Sequence, residues 1–323
     1  MSVYHSRMKK FVALLFAALP FATLAQGYPH RPITLVVPYT PGTGIDIIAR
    51  TVAPKLSERW GQPVVVDNKP GASGNIGAAI VAKAPPDGLT MMVTVNTFTI
   101  TPALYKNLQY DPNKDFTTVG RVADGNLALV TNPAKLPANN LQELVAAGKK
   151  QKLNYSSPGN GTPQHLAMEL LKQRLGIDVL HVPYKGAAQA LTDLLGGQVQ
   201  MAVLPVHTAL PHAKAGKLRV IAVSGERRSV LAPDSPSFGE LGLKNLDIDL
   251  YYWFAGPAHL PAEIVQKWNR EFASVLQLAD VREALMQQGM VPALSNPEEV
   301  AKQIAADIDR WKKFITQTGI TAD

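Results

Sequence analysis

Four glycine-rich stretches carry the residues best suited to chemistry, each where an apolar run gives way to helical spacing. The first is "VPYTPGTGIDIIAR", residues 37 to 50. Gly42 and Gly44 let the backbone turn tightly and expose its amides. Thr43 is placed as the N-cap, and Asp46 as the N3 residue, of a T-x-x-D capping box. The free N–H groups and partial positive charge of a helix N-terminus suit a carboxylate or phosphate. Capping alone needs no second glycine, so this run points to an anion as well as to a cap.

The second stretch, "NKPGASGNIG" (68 to 77), spaces Gly71, Gly74 and Gly77 as in a strand-to-helix turn and offers the Ser73 hydroxyl. Ligand contact and plain helix packing at Gly77 account for it equally well. In the third, "YSSPGNGTPQHL" (155 to 166), Thr162 is an N-cap with Pro163 at N1. Ser156, Ser157, Gly159, Asn160 and Gly161 then fall at a strand's carboxyl end, where open α/β sheets bind ligands. In the fourth, "PYKGAAQA" (183 to 190), Tyr184 and Gly186 lead into a helix whose first turn lacks an acid. Lys185 could pair with a ligand carboxylate, although a lysine beside a turn is more often a solvated charge.

Catalytic and nucleotide signatures are missing. The Walker loop is absent, and the third glycine of G-x-G-x-x-G would fall on Ile47. There is no G-x-S-x-G elbow and no H-E-x-x-H pair. His207 and His212 are five apart, which is off the i, i+4 face that metal sites use. Carboxylates are sparse around the glycine loops, where a glycosidase needs a pair. His165, one turn into its helix, could help orient the preceding loop, although such a histidine is more often a satisfied structural one. Helix N-termini, hydroxyls and amides without a base describe binding, with no cofactor implied.

These loops must be held by alternating strands and helices. "ITLVVP" (33 to 38), "PVVVDN" (63 to 68) and "LTMMVTV" (89 to 95) read as strands, with Ile45, Ile48, Val52 and Leu56 at helical spacing between the first two. That helix ends at Gly61 and should kink at Pro54. A loop-rich stretch follows, then a long extended segment at 117 to 132. A second series runs through "KLNYSS", a helix ending at Gly176, "VLHVPY", "VQMAVLP" and "LRVIAVSG". Another extended segment covers 246 to 257, and a helical tail closes the chain. Repeated strand–helix units predict parallel sheets covered by helices on both faces. The expected architecture is two α/β domains joined by two crossing strands, residues 26 to 128 with 254 to 323 forming domain 1 and residues 129 to 253 domain 2.

The 323 residues fit about two domains. No cysteine is present, which excludes disulfides, zinc–thiolate sites and cysteine nucleophiles. Residues 1 to 25 read as an export signal: basic Arg7, Lys9 and Lys10, an apolar core too short to span a bilayer, then small residues at Thr23 and Ala25. That segment holds three of the 32 Lys and Arg and none of the 25 acids, leaving 29 against 25, or +4, after cleavage. The remaining cations are scattered and no reading motif appears, which argues against nucleic acid. A mildly positive field favours small anions.

The chain resembles the periplasmic substrate receptors of tripartite tricarboxylate transporters, the Bug family. The likeness is carried by "YPHRPITLVVPYTPGTGIDIIAR", "VVVDNKPGASGNIGAAIVAKAPPDGLTMMV", "LNYSSPGNGTPQHLAMELL", "HVPYKGAAQALTDLLGGQVQMAV" and "WFAGPAHLPAEIVQKWNREF". It implies a type II periplasmic-binding-protein fold whose two domains close on a small carboxylate, held by amides and hydroxyls without a formal salt bridge. Carried over, Tyr39, Thr40, Gly42 and Thr43 would grip the ligand from one domain. Ser156, Gly159, Asn160, Gly161 and Thr162 would do so from the other, with Tyr184, Lys185 and Gly186 beside them. Ala72, Ser73, Asn96 and Thr97 would line the variable end. The implied partners are a small carboxylate and membrane transporter subunits, and a monomer is expected. Thr43 and Ser73 replace family glycines, Leu89 a tyrosine and Gln200 an acid. Thr43 and Ser73 could add hydroxyl donors or narrow the pocket, whereas Leu89 reads as a packing change. Alternatives are the same fold serving a signalling partner, or an exported enzyme using His165 or Lys185 as a base.

Overall fold

The structure, a computed structural model, describes residues 27–321, so the expected export signal at 1 to 25 lies outside the described residues. Two sheets organise the chain. The first has the order β11-β4-β10-β3-β1-β2, from β1 (Ile33–Val37), β2 (Val64–Asn68), β3 (Thr90–Val95), β4 (Phe116–Gly125), β10 (Leu250–Pro257) and β11 (Met290–Ser295). The second has the order β7-β6-β8-β5-β9, from β5 (Leu127–Thr131), β6 (Leu153–Ser157), β7 (Val179–Pro183), β8 (Met201–Pro205) and β9 (Arg219–Val223).

The helices between them are α1 (Gly44–Trp60), α2 (Asn75–Ala82), α3 (Thr97–Leu104), α4 (Leu141–Lys150), α5 (Pro163–Leu175), α6 (Ala187–Gly196) and α7 (Val206–Lys214). The tail adds α8 (Ala262–Val275), α9 (Ala279–Gln287) and α10 (Pro297–Thr318). In α1 the periodic Ile45, Ile48, Val52 and Leu56 are all buried. Burying each such side chain is worth roughly 1.5–3 kcal/mol. Helix α1 runs unbroken through Pro54 and stops at Gly61, whose φ of 65° no β-carbon opposes.

Three expectations need correction. The sheets are mixed rather than parallel: β10 runs antiparallel to β3 and β4, and β5 antiparallel to β8 and β9. A strand that carries the chain back from the other lobe enters its sheet from the opposite end. The stretch after β3 contains helix α3, despite Thr97, Thr99, Ile100 and Thr101, whose β-branched side chains disfavour helix. Burial of Phe98, Thr99, Ile100 and Thr101 decides it. The tail also contains a strand, β11, which tolerates Pro292 because it lies at the sheet edge.

The lobes join at Asn126, between β4 and β5, and through residues 224 to 249 before β10. Asn126 Nδ2 donates to Asp249 Oδ1 at 2.9 Å and to the Ser224 carbonyl at 3.3 Å. The Ser224 hydroxyl donates to the same carboxylate and accepts from Leu127 N at 2.7 Å. Burial raises the Asp249 pKa against these bonds. Both crossings are thus tied to one half-buried carboxylate.

Candidate functional site

Between the lobes lies a cavity of about 380 Å³, near the lower end for small-molecule sites. Its lining contains no Asp, Glu, Lys or Arg. A larger groove of about 600 Å³ lies on lobe 1, lined by Phe116, Leu260, Val265 and Pro297 among others; helices α8 and α10 begin at it, but unlike the cleft it carries charged side chains, Arg270 and Glu298. Among the described residues no group of acids and histidines is arranged to hold a metal, and no helix is long and apolar enough to cross a membrane.

Five helices begin at the cleft. Gly44 and Ile45 open α1, Thr97 opens α3, Pro163 and Gln164 open α5, Ala187 opens α6, and His207 and Thr208 lie in the first turn of α7. No side chain caps α1, α3, α6 or α7. Each uncapped N-terminus presents free amides and about half a positive charge. Four of them facing one uncharged cavity make a site for an anion that needs no cationic side chain.

The first loop differs from the expected capping box. The Thr43 hydroxyl donates to the Thr40 carbonyl at 3.0 Å instead of accepting from the helix. Asp46 is buried, and its Oδ2 accepts from Gly42 N at 2.9 Å. Its carboxylate also accepts from Arg50 Nε at 3.0 Å and from Asn68 Nδ2 at 2.9 Å. Burial opposes its ionisation, but the bonds from Arg50, Gly42 and Asn68 outweigh it and lower the pKa. One loop amide is therefore held by the chain's own acid, while the amides opening α1 stay free for a ligand.

In the third loop Thr162 does cap α5, accepting from His165 N at 3.4 Å while donating to the Gly159 carbonyl at 2.8 Å. His165 Nδ1 accepts from Gly161 N at 3.0 Å, so this histidine does orient the loop. Behind it the rings of His165 and His181 stack at 3.9 Å, and Tyr155 stacks on His181 at 4.7 Å. His181 Nε2 lies 2.6 Å from the Ser157 hydroxyl. Burial, reinforced at His165 by the neighbouring His181, pushes both imidazoles down to about 4. They are neutral at pH 7 and brace the loop as a flat stack.

Of the residues expected at the site, Tyr39, Gly42, Thr43, Thr97 and Ser156 line the cavity. Thr40, Ala72, Ser73, Asn96, Gly159, Asn160, Gly161, Thr162, Tyr184, Lys185 and Gly186 stand outside its lining. The Tyr184 hydroxyl donates to Asp193 at 2.7 Å and Lys185 is exposed. Ser73 stands outside the lining, its hydroxyl 2.9 Å from that of Tyr105, and the Thr43 hydroxyl is directed to the Thr40 carbonyl instead of the pocket. Asn96 is buried, its amide donating to the Asp249 carbonyl at 3.0 Å. Leu89 is buried in the core, and Gln200 Oε1 accepts from Asn154 N at 2.8 Å. Gly161 packs across the cleft: a Cβ there would lie 2.2 Å from Leu104 Cδ1 of the opposite lobe.

Leu204, Pro205, His207, Thr208, Leu250 and Tyr252 also line the cavity and were not expected. The end of "VQMAVLP" obeys the same strand-end rule as the other loops, and that rule could have found His207. Tyr252 gives no such signal, because the face to which a strand residue points depends on its sheet.

Comparison with known proteins identifies relatives of this chain and of its two-lobed fold. The model of the tripartite tricarboxylate transporter family receptor matches residues 48–320. Protein BugT of Bordetella pertussis is 34% identical over 313 residues, spanning 96% of this chain and 95% of that protein. The structure of the periplasmic binding protein BugD is 31% identical with a TM-score of 0.76, covering 91% of this chain and 99% of that one. The structure of R. palustris Rpa4515 with adipate is 33% identical with a TM-score of 0.78, again covering 91% and 99%. The chain belongs to the tripartite tricarboxylate transporter receptor family, whose members are periplasmic solute-binding proteins.

Proposed function

We propose that this protein is a periplasmic receptor that captures a small carboxylate by closing its two lobes and delivers it to a tripartite tricarboxylate-type membrane transporter. One observation carries the reading: four uncapped helix N-termini face a cavity without charged side chains. Amide–anion hydrogen bonds strengthen when closure excludes water. A relative one-third identical holds adipate, and the cavity here suits an acid of that size. Tyr39, Gly42, Thr43, Thr97 and Ser156 act as the direct contacts. Thr40, Ala72, Ser73, Asn96, Gly159, Asn160, Gly161, Thr162, Tyr184, Lys185 and Gly186 shape the loops around them.

The moving bodies are the residues up to Gly125 with those from Leu250 onward, and residues 127 to 249, a few residues from the boundaries expected at 128 and 254. The receptor works as a monomer after removal of residues 1 to 25. It has no catalytic role: of the candidate bases, His165 is committed to the Gly161 amide and Lys185 stands outside the lining. Native mass spectrometry of purified protein, followed by a thermal-shift panel of small carboxylates, tests the proposal. A bound acid that raises the melting temperature and is recovered unaltered supports it. Consumption of the acid would make the protein an enzyme, and stabilisation by none would remove the receptor reading.

A further inference from the structure

Tyr252 and His207 are polar side chains of the cleft that the clamp does not use. Tyr252 comes from β10 and His207 from the first turn of α7, so they belong to different lobes, and both line the cavity. Tyr252 is 6% exposed. Among the described residues neither its hydroxyl nor the His207 ring has a hydrogen-bond partner, and burial alone acts on each, raising the phenol pKa and lowering that of the imidazole. Tyr252 is buried and His207 half-buried, and polar groups withdrawn from water are nearly always paired, so two unpaired ones lining a cavity point to what fills it.

The neighbouring glycines bring them together. A Cβ at Gly44 would lie 3.4 Å from the Tyr252 hydroxyl, which therefore stands over the uncapped start of α1. A Cβ at Gly125 would lie 3.6 Å from Tyr252 Cε2 and 3.7 Å from the Gly289 carbonyl, and one at Gly289 would lie 2.6 Å from His207 Cβ. Tyr252 and His207 thus flank the same pair of glycines.

We propose that Tyr252 and His207, one from each lobe, form the subsite for a second oxygen-bearing group of the ligand. The pair selects diacids over monoacids of equal length. This rests on the receptor reading above. The phenol and the neutral imidazole each offer one donor and one acceptor, and the α1 amides add further donors. An acid that ends in a methyl group leaves both groups unpaired when the lobes shut and exclude water, which is how a polar site rejects an analogue.

Calorimetric titration of the full-length mature protein with succinate, glutarate and adipate, and in parallel with butyrate, pentanoate and hexanoate, tests the assignment. At least one diacid should bind more tightly than its monoacid counterpart. Tyr252→Phe and His207→Ala should each weaken that diacid by about tenfold, the scale of one hydrogen bond to a charged group, and leave the monoacid unchanged. Tyr252→Phe keeps the ring, and its unliganded melting temperature should equal that of the wild type. Diacid binding at wild-type strength in both variants overturns the subsite while the receptor reading stands. If the wild type binds none of the six acids, the subsite is again overturned, and the acid found by native mass spectrometry then decides the receptor reading separately.

Discussion

Gly161→Ala separates the work of closure from the work of folding. Gly161 has a φ of 69°, and a Cβ there would meet Leu104 Cδ1 at 2.2 Å, from a loop of one lobe to a helix of the other. Two penalties follow. Left-handed strain costs an alanine about 1–2 kcal/mol whether the lobes are together or apart. It lowers the unliganded melting temperature by roughly 2–4 °C per kcal/mol. The clash acts only while Gly161 and Leu104 face each other. Overpacking costs about 1–3 kcal/mol, and if the shut form alone bears it, the carboxylate Kd rises roughly 5- to 150-fold. Leu104 can turn aside, which favours the lower part of that range. Adding Leu104→Ala removes the clash but not the strain. The double variant should therefore regain the affinity of Leu104→Ala alone to within about threefold, with the loss of melting temperature remaining. Calorimetric titration and unliganded thermal unfolding measure the two effects separately. Wild-type affinity in Gly161→Ala, or no rescue by Leu104→Ala, would refute closure across this contact.

Asp46→Asn should destabilise the protein by about 1.5–3 kcal/mol in urea unfolding, because the buried carboxylate organises Gly42, Arg50 and Asn68. Its folded pKa is depressed, so its contribution is present above the unfolded value of about 3.9 and lost as pH falls below it; the variant's stability should respond less to acid there. The His165–His181 stack acts in a higher window. Both imidazoles titrate at about 4 when folded, against about 6.5 unfolded. The unfolded chain therefore binds more protons between those values, and stability falls as pH drops from about 6.5 to 4. Melting curves across that range should show a shallower decline in His181→Gln than in the wild type. Thr162→Val should cost about 1 kcal/mol through loss of the α5 cap and also weaken carboxylate binding; an unchanged melting temperature would show that the cap carries no weight.

Much of this molecule can be read from short stretches of chain. Gly61 and Gly176 end α1 and α5 with φ of 65° and 61°, because those stops depend on one residue's conformational freedom. Thr162 and Pro163 start α5 for equally local reasons. The family likeness lies in the same strand-end loops, five of whose expected residues line the cavity. What the chain conceals is set by partners distant along it. Thr43 has a cap's position, but Asp46 is drawn to Gly42, Arg50 and Asn68, so the box never closes. Tyr184 has a ligand's position, but Asp193 holds its hydroxyl. Helix α3 forms against the preference of its threonines because the fold buries it. Tyr252 and His207, 45 residues apart and on different lobes, line one cavity only because a crossing strand and a helix start reach the same two glycines. Caps and turns depend on a few bonded neighbours, so sequence determines them. The direction of a side chain and the lobe it faces depend on packing, which only the tertiary structure decides.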